Sequence, residues 1–294
     1  MSDSPSQDLV DLLNSLHYSK YGALAALTVV IYDYCITVDD EISLIWPSRW
    51  SITKVLFLLN RYSPFIDGGL GLHLSTDLFD RNTCAIEYQI LAYSATLGLI
   101  TAECILMVRT YAIWCRNKSV LWFLVLLGIA TYVPILTLIG HFLRSLRYPD
   151  NTVLHYTACI PLSASDEVLW VVYALHLAPE TAVIILTLVN RYQTAESFDR
   201  PPPILNILYR DGMLAYFAIL GMVLVNITVM VIGPPAISSM VQEPIRILHS
   251  ALCTRVVLNL RKAALCGRDA DSEDTMRFIS ESYIAYEDIV DLPR

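Results

Sequence analysis

Apolar residues in this chain come in long runs, with little of the alternation between apolar and polar faces that a soluble core of this size requires. The runs cover 21–40, 52–72, 87–113, 120–142, 168–190, 212–233 and 237–260. A helix needs about 20 mostly apolar residues to cross about 30 Å of hydrocarbon. Runs three to six meet this comfortably, and the first meets it with Asp33 inside it. The second has to absorb Arg61, Pro64 and Gly68-Gly69-Leu70-Gly71, which predicts a kink. The seventh is the weakest, because Glu243-Pro244, Arg246, His249 and Arg255 interrupt it. The pattern predicts an all-α polytopic membrane bundle of seven transmembrane helices. Residues 1–20 are polar and acidic, without the basic start of a cleaved signal, and are expected to form a short extracellular tail. Residues 21–262 then form the membrane domain, opening with the hairpin 21–66, and 263–294 an acidic, disordered cytoplasmic tail.

Composition agrees with this and narrows the partners. The 294 residues are 55% hydrophobic and only 16% charged, where soluble domains are roughly 25% charged. Net charge is −8, most of it from the last 32 residues, which hold eight acids against three arginines. No basic patch suits nucleic acid, which leaves the lipid bilayer as the first partner. Basic residues fix the orientation. With the N-terminus outside, the loops 41–51, 114–119 and 191–211 and the tail face the cytoplasm. That side then carries Arg49, Lys54, Arg116, Lys118, Arg191, Arg200, Arg261 and Lys262, while the other holds mainly Lys20, Arg81, Arg144 and Arg147. Such an excess on one side is the positive-inside pattern, and it favours seven crossings over six.

In this topology only Cys84 and Cys159, of seven cysteines, fall on the oxidising outer side. A disulfide between them is expected to pin the 143–167 loop over the outer end of the third span. Asn117-Lys118-Ser119 and Asn226-Ile227-Thr228 match glycosylation sequons, but one faces the cytoplasm and the other lies inside a span. The six histidines form no HExxH or HxxxH pair and read as interfacial residues, so no metal site is expected. The last span holds no lysine for a retinal Schiff base. No nucleophile–base pair is assembled from the motifs present, so neither an enzyme nor a cofactor is expected.

Four ionisable residues, Asp33, Arg61, Glu103 and Glu180, come out within about one helical turn of a common depth. Each costs about 2.5–3.5 kcal/mol at a helix centre, so they are expected to face the bundle interior. The first two spans share a short connection, which makes Asp33 and Arg61 a natural, structural ion pair. Glu103 and Glu180 lack an obvious basic partner and are expected to be protonated or hydrated. A functional site at this cluster is the competing reading.

The string Tyr32-Asp33-Tyr34, Thr37, Glu41-Ile42, Ile45-Trp46, Trp50, Leu56-Phe57 and Asn60-Arg61-Tyr62 resembles an N-terminal domain of unknown function that opens a large family of basidiomycete fungal membrane proteins. Arg109-Thr110-Tyr111-Ala112, Arg210-Asp211-Gly212 and Leu258-Asn259-Leu260-Arg261 are similar to later stretches of that family. The resemblance implies a seven-helix fungal membrane protein and no particular reaction or ligand. Arg109 and Tyr111, with Arg210 and Asp211, form a candidate motif on the cytoplasmic face. Arg109 resembles the arginine that ends the third helix of G-protein-coupled receptors, although Val108 stands where their acid precedes it. The plan favours a receptor or sensor, in the plasma membrane, whose partners are a small ligand and a cytoplasmic signalling protein. A transporter or proton-coupled carrier is the alternative, resting on the buried carboxylates. A purely structural membrane protein is the third.

Overall fold

In the computed structural model the backbone is described at residues 5–76, 80–148, 159, 167–197, 203–232 and 235–268. Among these the fold is all-α, with seven helices: α1 (Pro5–Leu44), α2 (Ile52–Thr76), α3 (Arg81–Ile113), α4 (Lys118–Ser145), α5 (Glu167–Ser197), α6 (Pro203–Ile232) and α7 (Pro235–Arg268). Within α1, α3, α4, α5 and α6, the stretches Lys20–Leu44, Arg81–Ile113, Lys118–Ser145, Trp170–Gln193 and Met213–Ile232 are long and apolar enough to cross a membrane. These five make the chain a multi-pass membrane protein; α2 and α7 fall short by composition.

Consecutive helices are neighbours around the bundle, and α7 closes the ring by packing along α1. Helix α7 also touches α2 and α3, and α3 reaches α5 as well as α2 and α4. The low hydropathy of α7 follows from this position: its polar residues Arg246, His249, Ser250 and Thr254 are buried against other helices. The lipid-type surface lies elsewhere. Leu24, Ile31, Ile66, Trp122, Leu126 and Phe217 are exposed apolar side chains on four different helices. A chain that exposes its large apolar residues and buries its charges is built for hydrocarbon.

The helices overrun the apolar runs. Helix α1 starts at Pro5, well before residue 21, in a stretch where Leu9, Leu12, Leu13 and Leu16 recur at helical spacing. A polar tail there is corrected to a helical extension. The start of the loop expected over 41–51 is helical too, and the chain leaves α1 only after Leu44. Helix α7 likewise runs six residues into the segment assigned to the tail; the remainder, 269–294, lies outside the described residues.

Helix α2 is one continuous element in spite of Pro64. A proline lacks the N–H that would bond the carbonyl four residues back, here that of Asn60. The Ser250 hydroxyl of α7 donates to that carbonyl at 2.6 Å. The Asn60 amide donates in turn to the Ser250 carbonyl at 3.0 Å and to Thr254 Oγ1 at 3.1 Å. The proline thus becomes a point of attachment between α2 and α7.

At one end of the bundle Cys84 and Cys159 are disulfide-bonded, with Cα atoms 5.5 Å apart. The Cys159 amide donates to the Leu74 carbonyl at 3.2 Å. Leu74, Ile135, Ile139, Phe142 and Tyr148 bury the bridge. This is the pairing expected from the cysteine placement. The α1–α2 and α3–α4 connections lie at the opposite end. There Cys115 and Arg116 adopt left-handed φ of 48° and 61°, and Asn117 caps α4 by accepting from the Ser119 amide at 2.9 Å.

Candidate functional site

Two groups of buried polar side chains occupy the interior. The first joins α1, α2 and α7 near the hairpin. Asp33, Thr37 and Glu41 are spaced by four residues, which stacks them on one face of α1. All three are buried, and so is Arg61 opposite them on α2. The Arg61 guanidinium donates to Asp33 Oδ2 at 2.9 Å, to Glu41 Oε2 at 3.2 Å, and to Thr37 Oγ1 at 2.5 Å. Its fork also reaches the Tyr34 carbonyl at 3.4 Å and lies 4.9 Å from the centre of the Tyr34 ring. The remaining Glu41 oxygen accepts from Tyr62 at 2.8 Å and from the Trp46 indole at 3.2 Å. The remaining Asp33 oxygen accepts from Arg255 of α7 at 2.8 Å. Two carboxylates thus meet two guanidiniums with all four carboxylate oxygens bonded. That is the condition under which buried charges are tolerated.

The hairpin loop seals this end. Ser51 Oγ accepts from the Lys54 amide at 2.9 Å and starts α2. The Lys54 ammonium bonds the carbonyls of Trp46 and Ser48 and sits 5.0 Å over the Trp50 ring. Arg261 donates to the Leu44 carbonyl at 2.6 Å, and Lys262 pairs with Asp40 at 2.7 Å, so α7 is tied to the end of α1 as well. A cavity of about 20 Å³ remains beside the ion pair, lined by Val30, Asp33, Arg61, Phe65, Ser250 and Thr254. That is room for about one water.

The second group lies between α3, α5, α6 and α7. Glu103 Oε1 and His176 Nδ1 are 2.5 Å apart, and both residues are at most 3% exposed. Glu180, one turn along α5 from His176, is 4% exposed, and neither of its oxygens finds a hydrogen-bond partner in the protein. The same holds for Glu103 Oε2, His176 Nε2, His249 Nε2 and both amide atoms of Asn226. Cys253 lies within electrostatic reach of both glutamates, and Tyr132 of α4 does too. Arg246 separates this group from α2. It pairs with the buried Asp67, donates to the Ala95 carbonyl at 3.0 Å, and reaches Ser63 Oγ at 3.4 Å. Gly98 makes room for it, since a Cβ there would overlap the guanidinium.

The four charges expected at one depth are therefore divided. Asp33 and Arg61 meet, while Glu103 and Glu180 belong to the second group. The expectation that Glu103 has no basic partner is corrected by His176, and that of interfacial histidines by His176 and His249, which are buried in the bundle. Helix α5 had already turned inward at Glu180, and His176 precedes it by four residues; that spacing was the missed signal. Glu41 was missed as a ligand of Arg61 because an acid beside Asp39 and Asp40 reads as a turn. Its spacing of eight from Asp33 was the available sign. Tyr34, Trp46 and Tyr62 join the network, whereas Tyr32 points outward. Arg109 is buried at the far end of α3, with its guanidinium 5.2 Å from the Tyr216 ring centre, and Tyr111 packs partly buried nearby. The side chains of Arg210 and Asp211 lie outside the described residues. Among the described residues no set of three or more His, Cys, Asp or Glu side chains is arranged to hold a metal.

Residues 21–66 match the model of a family of unknown function, DUF6533. The matched segment is the α1–α2 hairpin, and it contains every member of the first network except Arg255. No curated protein matches the chain.

Proposed function

We propose that this is a receptor- or sensor-like membrane protein of the fungal kind its first hairpin resembles, crossing the plasma membrane seven times. Its N-terminus lies outside, the membrane domain spans 21–262, and the tail from 263 is cytoplasmic and acidic. It has no catalytic constellation. The observation that carries the reading is the disulfide of Cys84 with Cys159, which holds the α4–α5 connection to the start of α3. Beneath that end, α3, α5 and α7 present polar groups that have no protein partners, as a site for a small ligand does. At the opposite end the exposed Arg116, Lys118 and Lys262 give a basic face suited to a cytoplasmic signalling protein. A proton-coupled carrier is the second reading, favoured by the buried Glu103–His176 pair. Against it, the chain has no inverted repeat.

Two experiments test this. Tags at the two termini, probed by protease in sealed vesicles, should lie on opposite sides; both on one side would mean that α7 does not cross. In reconstituted vesicles loaded with a pH dye, the receptor reading expects no flux above empty vesicles. Sustained proton flux would replace it with the carrier.

A further inference from the structure

The second polar group, whose Glu103–His176 pair favours the carrier reading, has a chemistry of its own. Two carboxylates and two imidazoles, Glu103, Glu180, His176 and His249, are each at most 4% exposed. Glu103 and His176 bond each other, while Glu103 Oε2, His176 Nε2, His249 Nε2 and both Glu180 oxygens have no hydrogen-bond partner among the described residues. An unpartnered carboxylate or imidazolium in such surroundings costs several kcal/mol. Glu103 and His176 can divide one proton between them without leaving net charge in the enclosure. Other potential occupants fit less well. The described residues offer no metal-holding set.

We propose that Glu103, His176 and Glu180 form an internal proton-binding site, in which one exchangeable proton is taken from water, held between α3 and α5, and returned to water. It stands whether the protein signals or transports. The groups facing it from every packed helix are few. Among the described residues, α3 contributes Glu103, Cys104 and, farther along, Arg109; α4 contributes Tyr132; α7 contributes Arg246, His249 and Cys253. Arg246 is already neutralised by Asp67 of α2, with Ser94 donating to the same carboxyl. Arg109 is engaged with the Tyr216 ring. A change of one charge at the site alters the attraction across the α3–α5 contact, since the Glu103–His176 bond is their polar link there.

Infrared difference spectroscopy of the full chain in lipid vesicles, from pH 7 to pH 10, tests this. Surface glutamates, which ordinarily titrate near about 4.3, are ionised throughout that range. The expected result is a protonated-carboxyl C=O band at pH 7 that fades as the pH rises. It should shift in the wild-type chain when glutamate carries ¹³C, an arm that needs no variant. Glu180→Gln should abolish the band, Glu103→Gln should displace it, and Asp33→Asn should leave it in place. The absence of any glutamate band at pH 7 overturns the site, as does a band unchanged in both glutamine variants.

Discussion

Arg61 and Glu180 are both ionisable, both buried, and both carried on helices of the same bundle, yet their surroundings are opposite. Around Arg61, every carboxylate oxygen of Asp33 and Glu41 is bonded, and α1, α2 and α7 are drawn together. Around Glu180 neither carboxyl oxygen has a hydrogen-bond partner among the described residues. A satisfied network in low dielectric rigidifies the elements it joins, whereas an unsatisfied one is a cost that a fold keeps where something else must interact. The first region is thus a clamp, and it coincides with the segment that matches a family model. The second is where this chain has chemistry to spare.

The contrast can be broken most severely at Arg61. Arg61→Leu leaves Asp33 with Arg255 as its one cation and Glu41 with only the neutral donors Tyr62 and Trp46, and should cost about 3–5 kcal/mol, read as a loss of monodisperse protein and a large fall in Tm. Adding Asp33→Leu should recover only part of that loss, because Glu41 is still unpaired. Full recovery, or none, would contradict the three-way network. Cys84→Ser comes next. Losing the crosslink should cost about 2–4 kcal/mol without disturbing the clamp, as non-reduced against reduced thermal unfolding can show.

Gly98→Ala should cost about 1–3 kcal/mol, since the added methyl displaces Arg246 from the Ala95 carbonyl and from Asp67. A neutral result would mean that Arg246 has another place to go. The smallest effect is expected from Ser250→Ala, about 1 kcal/mol, from leaving the carbonyl freed by Pro64 without its donor.

How much of this was legible in the sequence follows from the same physics. The apolar runs reported the lipid-facing surface, so the all-α architecture and the five clearly apolar spans could be read directly. The charge in α2 was legible because a lone arginine in an apolar run has to find a partner, and Asp33 was one short turn of chain away. Helix α7 was harder. Its polar residues look like interruptions until the helix is seen to touch α1, α2, α3 and α6, where polarity serves contact. The His176–Glu103 bond joins residues 73 apart in the chain, and no periodicity within one helix encodes which helix stands opposite. The disulfide was readable because thiol chemistry depends on compartment, and the placing of lysines and arginines singled out Cys84 and Cys159 as the pair to share one.

The contrast itself is tested most directly by one pair of thermal unfolding curves in the same lipid nanodiscs, Arg61→Leu against Glu180→Gln. Removing a clamp must destabilise, whereas replacing an unpartnered carboxyl by a neutral amide of the same shape removes a burial cost and breaks no bond. The account predicts a Tm well below wild type for Arg61→Leu and one equal to or above wild type for Glu180→Gln. A fall for Glu180→Gln comparable to that of Arg61→Leu would show that both regions are clamps and that the proposed division between them is wrong.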